Sequence, residues 1–165
     1  MQKALMRVYS SRKISLGLKI LSSAAVILSV LSYASLLFLS FRDSVYEGLG
    51  VLLSLSIPFF VVSFVRAAFD APRPYEVYDF YKERPKERDG KSFPSRHAYS
   101  AFAIAVLSFF FSVYLGVVLS VLALLLCVAR VLLGIHFIRD VVAGAAIGIV
   151  SGGIGIAVVG FLENV

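Results

Sequence analysis

The sequence predicts an all-α integral membrane protein, a bundle of about five transmembrane helices forming a single domain over residues 1–165. Three observations carry this. The chain is 59% hydrophobic with a mean hydropathy of +0.91, which is membrane composition. Its uncharged runs, Ile20–Phe41, Gly48–Val65, Ala98–Ala129 and Val141–Leu162, have spanning length, since about 20 apolar residues cross a bilayer. And the polar residues are gathered into one long loop, Asp70–Arg96, and a basic N-terminal segment.

Taken in order, residues 1–19 carry Lys3, Arg7, Arg12, Lys13 and Lys19. They read as a basic segment lying at the membrane interface, not a cleavable leader, because the apolar run that follows is long enough to span. The first two spans are expected over 20–41 and 48–69. The third apolar run is too long for one crossing and reads as a hairpin turning near Tyr114-Leu115-Gly116, giving spans over 97–114 and 116–134. The fifth covers 140–162. Gly144, Gly148 and Gly152 continue the helical face of Asp140 at four-residue intervals. Small residues at this spacing let helices approach closely in lipid, so this face is expected to pack against neighbouring spans. Homodimerisation through it is the weaker use, and a monomer or weak homodimer is expected.

The loop's charges nearly cancel, with Arg73, Lys82, Arg84, Lys86, Arg88, Lys91 and Arg96 set against Asp70, Glu76, Asp79, Glu83, Glu87 and Asp89. Tyr75, Tyr78, Phe80 and Tyr81 at its start suit a membrane–water boundary. It reads either as a solvated connector or as a loop that reads a lipid headgroup. The single cysteine, Cys127, excludes an intrachain disulfide. The net charge of +6 is accounted for by interfacial cations beside anionic lipid rather than by nucleic acid.

The chemistry-bearing residues fall in three stretches that this topology brings to one membrane face. Arg66 and Arg73 lie two helical turns apart near the end of the second span, where Pro72 and Pro74 end the helix and turn Arg73 back. Pro94-Ser95-Arg96-His97 opens the third span. A serine cap and exposed N–H groups make that terminus suited to phosphate. Arg130 closes the fourth span, and His136 and Asp140 are spaced i, i+4, a pairing that fixes an imidazole tautomer if this part is helical. From His97 the chain descends about 28 Å to Gly116 and climbs about 21 Å to Arg130, which returns it to the same face. A cation within a span costs several kcal/mol unless it is paired or meets water, so Arg66 and Arg130 call for an explanation: Arg66 reads either as snorkelling from the span end or as a functional cation, and Arg130 as a functional one. Two histidines and an aspartate are also metal-ligand types, but the surrounding arginines repel a cation. No metal and no cofactor are expected.

Together these residues resemble the type 2 phosphatidic acid phosphatase family of membrane lipid phosphatases, whose pattern is KxxxxxxRP, PSGH and SRxxxxxHxxxD. Here it reads Arg66-(six residues)-Arg73-Pro74, Pro94-Ser95-Arg96-His97, and Ala129-Arg130-(five residues)-His136-(three residues)-Asp140. Three residues depart from it. Arg66 stands for lysine, Arg96 for glycine and Ala129 for serine. The resemblance implies that His136 is the nucleophile forming a phosphohistidine, that Asp140 orients it, and that His97 protonates the leaving alcohol and then activates water. It also implies that Arg66, Arg73, Ser95, Arg96 and Arg130 bind phosphate. A vanadate-dependent haloperoxidase shares the pattern but does not suit so short and apolar a chain.

Every Lys and Arg except Arg42 falls on the active-site side of this topology. The bias persists when the presumed phosphate ligands are set aside, so the positive-inside rule places the site on the cytoplasmic face of the cell (inner) membrane. That favours phosphatidylglycerophosphate, phosphatidic acid or a prenyl-lipid phosphate. An outward site would favour undecaprenyl pyrophosphate or lipid A. The competing class is a non-enzymatic membrane protein that holds phospholipid with the same arginines.

Overall fold

The computed structural model describes residues 11–78 and 90–163. Six helices make up the described structure: α1 (Arg12–Asp43), α2 (Val45–Ala68), the short α3 (Pro74–Val77), α4 (Arg96–Phe111), α5 (Val113–Leu132) and α6 (Ile138–Leu162). Of these, α1, α2, α5 and α6 are long and apolar enough to cross a membrane, and α4 is a shorter apolar helix of 16 residues. The five-helix membrane bundle expected from hydropathy is therefore present.

Its boundaries differ from expectation at two places, and both differences have local causes. The fourth span, α5, begins at Val113, not at Gly116. Ser112 is extended and its hydroxyl accepts from the Leu115 N–H at 3.4 Å, so a serine cap makes the turn and Gly116 sits inside the helix. Ser44 does the same between α1 and α2, accepting from Tyr46 N at 3.2 Å. At the N-terminus, residues 12–19 are not a separate interfacial segment. They form the first turns of the 32-residue α1, where nothing in the sequence breaks the helix. The remainder of the basic segment lies outside the described residues, as do residues 79–89 of the polar loop.

The shortest of the five bundle helices, α4, is the centre of the bundle. α4 packs against α1, α2, α5 and α6, and its Ala98, Ala101, Ala103, Ala105 and Leu107 are buried. Tyr99 is buried too, its hydroxyl donating to the Leu55 carbonyl of α2 at 2.7 Å. Large side chains such as Phe38, Phe60, Phe64, Val117 and Val150 face outward instead. In a membrane protein that is the lipid-facing surface, and interiors rely on small residues.

The most extensive helix–helix contact is between α4 and α6, and the glycine face makes it. A Cβ on Gly144 would collide with the Ser95 carbonyl oxygen, one on Gly148 with the Tyr99 carbonyl oxygen, and one on Gly152 would lie 2.8 Å from the Ala103 carbonyl oxygen. Three successive turns of α6 thus touch α4 backbone. The expected internal use of this face is the observed one. Gly148→Ala should destabilise the protein by about 1–3 kcal/mol through overpacking, read as a lowered Tm in detergent. Gly153→Ala, with nothing near its added carbon, should change stability by less than about 0.5 kcal/mol. Equal effects at the two positions would contradict the packing described.

Candidate active site

The α4–α6 contact sets the two helix N-termini side by side, where Ser95 N donates to the Asp140 carbonyl at 3.0 Å. All three sequence stretches meet there. At the end of α5, Gly134 adopts a positive φ of 66°, a conformation glycine enters without a Cβ penalty. The chain reverses, and the N–H groups of Ile135 and His136 both donate to the Arg130 carbonyl, at 3.0 and 3.3 Å. This reversal carries His136 inward, 1% exposed.

His136 is not on a helix, since α6 starts at Ile138. The i, i+4 pairing with Asp140 arises from helix capping instead. The Asp140 carboxylate turns back to accept from Phe137 N at 2.9 Å, which leaves Oδ2 3.7 Å from His136 Nδ1. That is too long for a hydrogen bond. Ser92 closes the gap: its hydroxyl donates to Asp140 Oδ2 and lies 3.3 Å from His136 Nδ1. A hydroxyl has one proton to give. With that proton on the carboxylate, Ser92 accepts from Nδ1–H, so Nε2 carries the lone pair. Nε2 is buried and has no hydrogen-bond partner among the described residues. The arrangement leaves an oriented, unoccupied nucleophilic nitrogen.

Ser92 is the residue that sequence reasoning missed. It precedes the recognised tetrapeptide by one residue, and its partners are 44 and 48 positions away, so spacing gave no signal. Glu76 was missed for the same reason. It accepts from Arg73 N and, at 2.7 Å, from Gly90 N, tying together the two ends of the polar loop.

The arginines surround this unit. Arg66 is 9% exposed and donates to the carbonyls of Pro94 and Ser92, at 3.2 and 3.5 Å. Arg73 is 1% exposed and donates to the carbonyls of Gly90 and Ile135, both at 3.3 Å. The expected turn at Pro72 and Pro74 is present, with α2 ending at Ala68 and Arg73 standing before Pro74. Arg130 is also buried, at 8% exposure. Ser95 is fully buried as the cap of α4, its hydroxyl accepting from Ala98 N at 3.4 Å.

Arg66, Arg73, Arg96 and His97, with Lys91, line a cavity of about 530 Å³. The described lining does not include His136, Asp140, Ser95 or Arg130. These adjoin it through the Arg66 contacts to the Ser92–Pro94 segment and the Arg73 contact to Ile135. A second cavity of about 280 Å³ is walled mainly by Val26, Val30, Phe59, Ile104 and Leu126. Arg96 and His97 belong to both.

Burial lowers the His136 pKa below its ordinary value of 6.5, and the charges of Arg73 and Arg66 lower it further, against the raising effect of Asp140. At neutral pH the imidazole is therefore uncharged, as a nucleophile must be.

The described structure is thus a helical membrane bundle that gathers two histidines, an aspartate and buried arginines at one end. A family model described as the PAP2 superfamily matches residues 47–163, and the chain belongs to that superfamily. Two crystal structures share the fold. One is LpxE from Aquifex aeolicus, with a TM-score of 0.70 and 22% identity, covering 94% of each chain. The other is the first transmembrane PAP2-type phosphatidylglycerolphosphate phosphatase from Bacillus subtilis, with a TM-score of 0.68 and 21% identity, covering 99% of this chain and 87% of that one. No curated protein matches the chain in sequence.

Two outcomes are expected of this site. Ser92→Ala should lower kcat roughly ten- to hundredfold, since a hydrogen bond to a charged group is worth about 1.5–3 kcal/mol, and should leave KM within about twofold. An unchanged kcat would remove Ser92 from the relay. The acid limb of the pH–kcat/KM profile should fall below pH 6.5, the ordinary imidazole value. The neutral form reacts, and a lowered pKa preserves that form at lower pH. Arg66→Met removes a lowering charge and should move this limb upward; a downward shift would contradict the assignment.

Proposed function

We propose that this protein dephosphorylates a membrane lipid phosphate through a phosphohistidine on His136, without a metal. The observation that carries the reading is the His136 Nε2 itself, buried and without a partner among the described residues, with its tautomer set through Ser92 and Asp140. Anion binding alone needs no oriented, uncharged imidazole.

The phosphoryl group is held by Arg66 and Arg73, with Arg130 as a third cation of the motif, and their charges stabilise the negative charge spread over its equatorial oxygens. Nε2 attacks phosphorus as the bond to the lipid oxygen breaks, and His97 donates a proton to that oxygen. His97, now neutral, takes a proton from water as the water oxygen attacks phosphorus. The N–P bond breaks and inorganic phosphate leaves. His97 is suited to both transfers because it lines both the cationic and the apolar cavity, and the ester oxygen joins the reacting phosphate to the part of the lipid that leads to the hydrocarbon.

The apolar cavity supports a lipid substrate, and a phospholipid or prenyl-lipid phosphate is the class favoured. The Bacillus subtilis neighbour is a phosphatidylglycerolphosphate phosphatase, which supports a glycerophospholipid such as phosphatidylglycerophosphate. The charge bias supports a site on the cytoplasmic face of the cell membrane.

The test is phosphate release from phosphatidylglycerophosphate, phosphatidic acid and undecaprenyl pyrophosphate by purified protein in detergent with EDTA. Release should survive chelation and fall by at least about a thousandfold in His136→Ala, as expected when a nucleophile is removed, while lipid binding persists. Activity lost with EDTA, or retained in the variant, would refute the mechanism. Binding without release by the wild type would favour the non-enzymatic class.

A further inference from the structure

Arg96 has no share in the cluster around His136. It is the first residue of α4, exposed, and its guanidinium lies over the Phe59 ring at 6.0 Å. That is its one described contact. Among the described residues it has no carboxylate and no hydrogen-bond partner, whereas Arg66 and Arg73 are engaged by backbone carbonyls. The ring orients the cation without neutralising it.

Its position gives that charge a purpose. The cationic cavity holds Arg66 and Arg73, the apolar cavity takes hydrocarbon, and Arg96 stands with His97 where the two meet. A lipid whose reacting phosphate is bonded directly to its diacylglycerol places only the ester oxygen at this junction, and His97 serves that oxygen. A lipid with a second phosphate between the reacting one and the hydrocarbon places a second anion there.

We propose that Arg96 is a specificity-determining residue that binds a second phosphate of the lipid, lying between the reacting phosphate and the hydrocarbon. This rests on the lipid phosphatase reading above. A planar guanidinium fork pairs two phosphate oxygens at once, and Lys91 on the same cavity adds positive charge. The shared chemistry has two sources, a phosphodiester one glycerol away from the reacting group or the inner phosphate of a prenyl diphosphate.

The experiment compares phosphatidylglycerophosphate, undecaprenyl diphosphate and phosphatidic acid in mixed micelles, using wild type, Arg96→Gly, Arg96→Gln and Arg96→Lys. The readout is the preference ratio, kcat/KM for each two-phosphate lipid over that for phosphatidic acid. It should fall about tenfold or more in Arg96→Gly and Arg96→Gln and less in Arg96→Lys, and the lipid whose ratio falls names the source. The ratio of Kd values, measured in a His136→Ala background that cannot turn over, should change in parallel. Unchanged ratios in both measurements, whether all lipids weaken together or none does, overturn the proposal even if the wild type is active. A Kd ratio that shifts while the wild type releases no phosphate upholds Arg96 as a phosphate reader and refutes the catalytic reading. Arg96→Gln retains side-chain length, so the test stands if the glycine variant fails to fold.

Discussion

The candidate site depends on how closely α6 can approach α4, because the segments that open the two helices meet there. Gly144, Gly148 and Gly152 place α6 against the α4 backbone at Ser95, Tyr99 and Ala103. That approach brings Ser95 N within 3.0 Å of the Asp140 carbonyl. In lipid there is little hydrophobic drive between helices, and association rests on close packing and on hydrogen bonds. A side chain at any of these glycines would separate the segment bearing Ser92 and His97 from the carboxylate it must meet. The reacting groups are therefore positioned by a glycine face that extends away from them for three turns.

Polar groups buried at such an end carry a desolvation cost of several kcal/mol for each ion, and the fold meets it with backbone oxygens. Arg66 and Arg73 between them engage the carbonyls of Gly90, Ser92, Pro94 and Ile135. Carbonyl dipoles solvate a guanidinium without cancelling its charge, as a carboxylate would. The same bonds hold the loop ends and the His136 turn in place. The described lining of the cavity carries Arg66, Arg73, Lys91 and Arg96, and burial together with the charges of Arg73 and Arg66 holds the His136 pKa down. Asp140, the carboxylate of the cluster, is directed to Ser92 and to the Phe137 N–H rather than to Arg66 or Arg73.

Much of this was legible in the chain, and the part that was not has a physical reason. Apolar runs give helices because the bilayer requires every backbone group to be satisfied within the segment. The glycine face follows from its spacing of four. The arginines and histidines stand out because charge is costly in such a sequence. The turn at Ser112 was not legible, since a serine cap competes with a nearby glycine and sequence does not say which governs. Nor was the role of Ser92, whose partners are far away in sequence, or the fact that Asp140, turned back to cap its own helix, is linked through Ser92 to a His136 that lies off the helix. Arg73 could be recognised as a cation near the site, but its bond to Ile135 spans 62 positions and exists only once the chain has reversed at Gly134.

The position of His97 extends the argument to what such a site can distinguish. It lies where a polar and an apolar cavity share a wall, so in the proposed mechanism the proton donor to the leaving oxygen sits at the boundary between a cationic and an apolar space. Chemistry placed there depends on the one linkage every lipid phosphate possesses and is indifferent to what lies beyond it on either side. Discrimination must then come from residues at the same boundary that touch neither the reacting phosphorus nor the ester oxygen. Glycine at position 96 would offer only backbone to that boundary. Arginine, held over Phe59, adds a charge to it. A change of one residue in the motif can therefore alter which lipids are selected while leaving the reacting groups in place.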